Sequence, residues 1–474
     1  MKTVEELNQK HSAYNDHIKL WNYYYNSFVG GHNYRKAAYL RKYYGEHLAP
    51  FDVYQARLDN TPYDNHVKTV IDVYRSFIFS NKPKRELGNI ANNPFVEQWI
   101  SDVDLDGQDM DSFMKTALDW AMCLGNVWIS VDKPAYAAAT AGEEIAAGIR
   151  AYATQYTPQN VLNWVYERDI TGRQTLAYIC VIESQDEASA TLKSWYRDGC
   201  ERYTVEKDPH SGEFRAILDF EEFENPLGYI PFVNLSPTPT PIRGIGHSTV
   251  ADICDMSRSI YNKLSELEQG ITLSTHPSLV KSESTEAEGG AGAIINIPED
   301  LPADKNPYLL QPAGTSITSI LESIANDVDA IDRMSHLSAV RAHKTQSASG
   351  VSLQIERQLL NTKLGDLSDS VNETERKLWK IWFDWQSLEP SNEFKIEYVK
   401  SYDIRDEHRD LELYKSALEV VNNTDFREHV EAEIAKMVVD DEEDLAFILR
   451  SIAAQDRSQP ADIVAPDSAT DDTQ

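Results

Sequence analysis

Two long amphipathic patterns, one on either side of a short irregular insert, constrain this chain more than any other feature. The run Pro237-Thr238-Pro239-Thr240-Pro241 interrupts regular structure and marks a boundary. Beyond it Val250, Ile253, Ile260, Leu264, Leu267 and Ile271 form a stripe at helical spacing. A helix from Ser248 to about Thr275 would span roughly 40 Å, and Pro277 stops it. A second pattern (Ile317, Ile320, Leu321, Ile324, Val328, Ile331) predicts a helix from about Ser316 to Leu337. The insert at 277–314 is rich in Gly, Pro and small residues, with a β-like run at Ile294-Ile295-Asn296-Ile297.

The flanking sequence reads as α+β, mainly helical. Residues 1–55 are helical and dense in aromatics, including Trp21, Tyr23, Tyr24, Tyr25, Phe28, Tyr34, Tyr39, Tyr43 and Tyr44, a density that suits a core or a subunit interface. Residues 56–247 form an α+β region. In it a helix carries Val67, Val70, Ile71, Tyr74 and Ile78, and another covers 111–125. Val127 to Asp132 reads as a buried strand, and short strands joined by charged turns from about 160 to 235 predict an antiparallel sheet. The Ala- and Gly-rich stretch 135–148 reads as an inserted surface loop. The two helical patterns divide the next part into 248–276, 277–314 and 315–338. A loop and a long helix follow at 339–386, with the aromatic cluster Trp379, Trp382, Phe383 and Trp385. One strand and further helices fill 387–454. The polar segment 455–474 is expected to be disordered.

Composition narrows the function. With 41% hydrophobic and 10% aromatic residues in 474, the chain is globular rather than disordered. No apolar run approaches the roughly 20 residues that a membrane helix needs. The polar, charged start MKTVEELNQK lacks the apolar core of a secretory signal. Four cysteines, Cys123, Cys180, Cys200 and Cys254, are far apart and form no CxxC pair, so buried thiols in a reducing cytosol are expected rather than disulfides or zinc. A formal charge of −31 argues against a sequence reader of DNA, which normally carries a basic patch. It does not exclude a protein that DNA slides past.

Motifs for chemistry are weak. Asp102, Asp104, Asp106 and Gly107 look like the start of a calcium loop, but the position of its closing Glu is Phe113. These three aspartates are also the only set a metal-dependent nuclease could use here. Gly244-Ile245-Gly246 precedes a helix as in a dinucleotide fingerprint, yet the third Gly is missing and no parallel strand comes before it. No GxxxxGK[ST], HExxH or GxSxG occurs. The twelve histidines are scattered, and His11, His17 and His343 make no ligand set. The acidic run 440–444 reads as a helix N-terminus with a solvated face. Neither a catalytic residue, a metal nor a cofactor is expected.

The order of segments resembles the portal proteins of tailed phages. Pro62-Tyr63-Asp64-Asn65-His66-Val67-Lys68-Thr69-Val70-Ile71-Asp72 is similar to a segment of that family's wing domain. Similar too are Gly125-Asn126-Val127-Trp128-Ile129 after Asp104-Leu105-Asp106-Gly107, and Gly228-Tyr229-Ile230-Pro231-Phe232-Val233 before the stem. Ser347 to Leu360 (SASGVSLQIERQLL) matches best: a small-residue loop followed by a long helix. The resemblance covers roughly residues 55–400, and the order of segments carries it more than any single motif.

The resemblance implies a wing, a two-helix stem, a clip between the stem helices, a tunnel loop with its kinked helix, and a helical crown. It implies a ring-shaped homo-oligomer of about twelve copies at one capsid vertex, assembled in the host cytoplasm. Double-stranded DNA would pass through the ring without being read. Partners would be the terminase large subunit, the major capsid and scaffolding proteins, and a neck adaptor. Arg341, His343, Lys344 and Gln346 would lie on the loop that touches DNA, where contacts position phosphates without reading sequence. Asp252, Asp255, Glu266 and Glu268 would line the channel, where an acidic wall repels DNA and lets it move. Apolar rows too long for a lone hairpin suit helices packed in a closed ring, which leaves no edge. An ordinary helical hairpin in a monomer, or another neck or baseplate protein, would share the pattern. Twelve copies at −31 each would carry on the order of −370, so assembly must rest on burial.

Overall fold

The computed structural model describes residues 1–44, 46, 52–134, 143, 147–275, 278–280, 302, 308–310, 314–338, 350–391, 393–399, 402, 414–418, 424–438 and 442–454. The chain forms two compact units, Met1–Tyr402 and Asp403–Gln474. The fold is α+β and mainly helical.

The first unit begins with α1 (Val4–Asn8), α2 (Ser12–Val29), α3 (Gly31–Lys36), α4 (Val53–Asn60) and α5 (His66–Ile78). Local chemistry sets their ends. Thr3 and Glu6 make a reciprocal capping box on α1, and the Asn65 side chain accepts from Lys68 N at 2.9 Å at the start of α5. In α5 the expected stripe Val67, Val70, Ile71, Tyr74 and Ile78 is wholly buried. There follow β1 (Lys84–Glu86), α6 (Pro94–Ser101) and α7 (Met110–Leu124). Asp109 caps α7 through Ser112 N, and Gly125 ends it in the left-handed region at φ 96°.

Next come β2 (Val127–Asp132), β3 (Tyr152–Tyr156), β4 (Val161–Arg168), β5 (Gln174–Gln185), β6 (Ser189–Trp195), β7 (Gly199–Lys207), β8 (Phe214–Glu224) and β9 (Phe232–Leu235). They make two sheets rather than one. β4 to β8 form an antiparallel meander in chain order, whereas β9 leaves it and pairs with β2 in the three-stranded order β3-β2-β9. Every residue of β2 is buried, because it is the central strand beneath helices. β2 touches both α7 and the long C-terminal helix of this unit.

The remaining elements are α8 (Ala251–Thr275), β10 (Ser278–Val280), β11 (Tyr308–Leu310), α9 (Gly314–Met334), α10 (Gly350–Gln386) and β12 (Lys395–Glu397). β10 pairs with β11, and β12 pairs with β1. The core gathers around the C-terminal half of α10. Trp379 and Trp382 are fully buried there, and Trp99 of α6 stacks on Trp382 at 6.0 Å. Each such side chain contributes about 2–3 kcal/mol through burial.

The second unit is a helical module. It contains a short turn of helix at 414–418, then α11 (Thr424–Val438) and α12 (Glu442–Ala454), which pack together. Val430 and Ala435 are buried, and Arg427 donates to Leu418 O at 3.0 Å.

Candidate functional site

α8 and α9 run antiparallel as a hairpin. Near its base Ser259 and Lys263 both bond Asp327 Oδ2, at 2.9 and 2.6 Å. Toward its far end Gly270 lies against Ile317, where an added β-carbon would sit 3.5 Å from Cγ1. The paired β10 and β11 follow directly at that end, so a small β element sits between the two helices.

The base of the hairpin is fastened to the rest of the unit. Ser248 donates to Cys123 O at 2.6 Å, and Thr249 N donates to Met122 O at 2.9 Å. The entry to α8 thus satisfies carbonyls that the last turn of α7 leaves open. The Pro-rich boundary folds as a tight loop held by Thr240 and Ile245, and within it Gly246 touches Gly125. A β-carbon on Gly246 would stand 1.9 Å from Gly125 O. The Gly-x-Gly read against a cofactor motif is therefore a packing joint, with Trp164 Nε1 donating to Arg243 O at 2.9 Å beside it.

Burial along the hairpin is uneven. Val250 just before α8, and Ile253, Ile260 and Leu267 within it, are buried, partly beneath α2, α4 and α5. Further out the cover thins: Ile271 is 40% and Leu321 49% exposed. Of the α9 stripe Ile317, Ile320, Leu321, Ile324, Val328 and Ile331, only Ile331 is buried. A stripe of this composition on a stable hairpin is incompletely covered by its own chain.

The four acidic candidates on α8 divide into two pairs. Asp255 accepts from Tyr23 OH at 3.1 Å and pairs with Arg258 at 3.2 Å. Glu266 accepts from Tyr43 OH at 2.7 Å. Both therefore face the N-terminal segment, whose Arg41 N also donates to Asn262 Oδ1 at 2.7 Å. Asp252 and Glu268 are exposed, as is Asp255 despite its bonds. The tyrosine density of residues 23–43 is the sequence signal that accounts for these contacts. Its rings form a cluster in which Tyr34 stacks on Tyr63 at 4.0 Å and meets Tyr261 of α8 edge-on at 5.1 Å. Arg341, His343, Lys344 and Gln346 lie outside the described residues, as do Asp440 and Asp441 of the acidic run.

The aspartate loop before α7 is occupied by its own chain. Asp102 accepts from Gly107 N at 2.9 Å and pairs with Arg150, while Asp104 accepts from Asp106 N and Gln108 N. Among the described residues no group of three or more His, Cys, Asp or Glu stands together as a metal site. The four cysteines are free and buried. Burial pushes the Cys200 and Cys254 thiols up to about 12 and raises Cys123 and Cys180 as well. None of these thiols is a thiolate at neutral pH.

Two buried charge centres went unnoticed in the sequence. Glu375 of α10 is fully buried and takes Arg85 on both oxygens, at 2.6 and 3.2 Å. It also accepts from Trp379 Nε1 at 3.2 Å and from the Tyr398 hydroxyl. Lys193 pairs with Asp132 beneath Trp195, beside a cavity of about 530 Å³ that Tyr152, Glu183, Arg202 and Trp385 also line. Burial works against the Lys193 charge, but Asp132 outweighs it and holds the ammonium above its ordinary range. Neither centre had a local signal, since the opposite charges lie 61 residues apart in one and 290 in the other. Among the described residues no helix is long and apolar enough to cross a membrane. No protein-family model matches the sequence, and no curated protein matches it.

Proposed function

We propose that this chain is a portal subunit: one copy of a ring, of about a dozen, through which double-stranded DNA enters and leaves a capsid. The observation that carries the reading is the α8–α9 hairpin, two long antiparallel helices with a β pair at the tip and an outer apolar row that the chain itself leaves half covered. Neighbouring hairpins of a closed ring would cover that row, and closure leaves no copy with an open edge. The α+β region before the hairpin, the 37-residue helix α10 after it and the separate helical unit at the end stand in the order that the portal resemblance implies.

In this role the protein does no chemistry. It holds a channel at one capsid vertex, docks the terminase large subunit during filling and a neck adaptor afterwards, and contacts the major capsid and scaffolding proteins. The loop carrying Arg341, His343, Lys344 and Gln346 would touch DNA phosphates, and the exposed Asp252 and Glu268 remain candidates for the channel wall. Salt-dependent DNA retention in assembled rings tests the loop. Exchanging Arg341 and Lys344 for Ala should weaken retention equally for all DNA sequences and flatten its salt dependence. Unchanged retention and salt slope would remove that loop from the DNA path.

A further inference from the structure

α10 is a single helix in which two parts are held in different ways. From Leu360 onward Leu360, Leu364, Leu367, Val371, Leu378 and Trp382 are buried on one face, with Glu375 buried between Val371 and Leu378. Just before that point Ile355 is 54% and Leu359 47% exposed. All the larger contacts of α10 are with α5, α7, β2, β9 and β12.

What runs along the held part is the chain just beyond it. Phe394 packs on Trp379 and Phe383, with ring centroids 5.4 and 5.3 Å away. Tyr398 bonds Glu375. Ser368 Oγ donates to Val399 O at 2.7 Å, and Tyr402 N donates to Asn361 Oδ1 at 2.7 Å. As the chain advances from 394 to 402, its contacts step back along the helix from 383 to 361. The helix between Asn361 and Trp379 is about 27 Å long. Ile396 and Tyr398 are buried while Lys395 and Glu397 are exposed, as expected of a strand lying on the helix.

We propose that Phe394, Tyr398, Val399 and Tyr402 together strap α10 and set where it can give way. The helix from Leu360 onward is held as part of the body, and the turns from Gly350 to Leu359 open and close independently of it. Asn361 is the boundary because it takes the last bond of the strap. Tyr402 is also the last residue of the first unit. A pull arriving along the chain from the second unit would therefore load the Asn361–Tyr402 bond first and, once that bond parts, lengthen the free part of α10. The proposal stands apart from the ring, since it concerns contacts within one chain.

Hydrogen exchange of the full-length protein, followed by mass spectrometry, tests it. In the wild type, amides at 350–359 should exchange rapidly and those at 364–386 slowly. Asn361→Ala with Ser368→Ala removes two side-chain–backbone bonds and should speed exchange at 361–371 roughly 30-fold. Amides at 375–386 should keep their rates. Asn361→Asp retains the acceptor and should restore wild-type protection when Ser368 is intact. Equal protection on both sides of Asn361 in the wild type would overturn the proposal. So would unchanged exchange at 361–371 in the double variant, or an increase spread evenly over the whole unit. Failure of Asn361→Asp to protect better than Asn361→Ala would also overturn it, since the bond would then not be the hold.

Discussion

Gly246 and Gly125 meet so closely that neither position accepts a side chain. Gly246→Ala should lower stability by about 3 kcal/mol, because the nearest contact, Gly125 O, is backbone and cannot turn aside. Urea denaturation measures this, and a loss within error would show that the joint relaxes. Glu375 is a second point of concentration. Replacing it with Gln leaves the Arg85 guanidinium short of a buried counter-charge, with only Asp111 at 2.7 Å remaining. A cost of about 3 kcal/mol is expected by the same measurement. Asp119 gives a pH signature. Burial pushes its carboxyl up to about 6, against the pull of Arg75 at 2.5 Å. The folded state thus holds this proton more tightly than the unfolded chain. Its contribution is most favourable below about pH 4 and declines as pH rises to about 6. A carboxyl-carbon NMR titration should place its midpoint near 6, and a midpoint near the ordinary aspartate value would contradict the burial argument.

Among the elements, legibility followed the range of the interactions. The stripe of α5, the helix α7, the buried run of β2, and helices α8, α9 and α10 were all readable, because each depends on a pattern within its own segment. The joining of β9 to β2 rather than to β8 was not, since pairing partners some hundred residues apart leave no mark on either strand. Short β1 was missed for the same reason, its partner β12 lying about 300 residues further on. The aspartate loop carried a misleading metal pattern that its bonds to Gly107 and Arg150 account for. On α8, the portal resemblance set Asp255 and Glu266 toward a channel; the tyrosines that meet them come from more than 200 residues earlier. β8 shows how an open strand is kept from pairing further. It is an edge strand, bears Asp219, Glu221, Glu222 and Glu224 on exposed positions, and breaks register twice against β7. The outer hairpin row belongs to this scale too. Leu321→Asp with Ile324→Asn should leave circular dichroism unchanged, since neither residue is buried in the chain, while abolishing assembly in sedimentation velocity. Loss of helix signal instead would mean that the row is needed for folding alone.

For the whole molecule, charge and burial oppose each other. Copies carrying −31 each repel, so a ring held by apolar rows should be favoured by salt, which screens that repulsion within about 10 Å at 0.1 M. Raising salt should move protein from smaller species into the ring; dissolution of the ring by salt would instead point to ion pairs as its main hold. The central claim is assembly itself. The most direct test is the mass of the purified protein in solution by light scattering, with negative-stain images of the same peak. The account predicts a ring of about a dozen copies with a central hole. A monomer or dimer at every concentration and salt would contradict it.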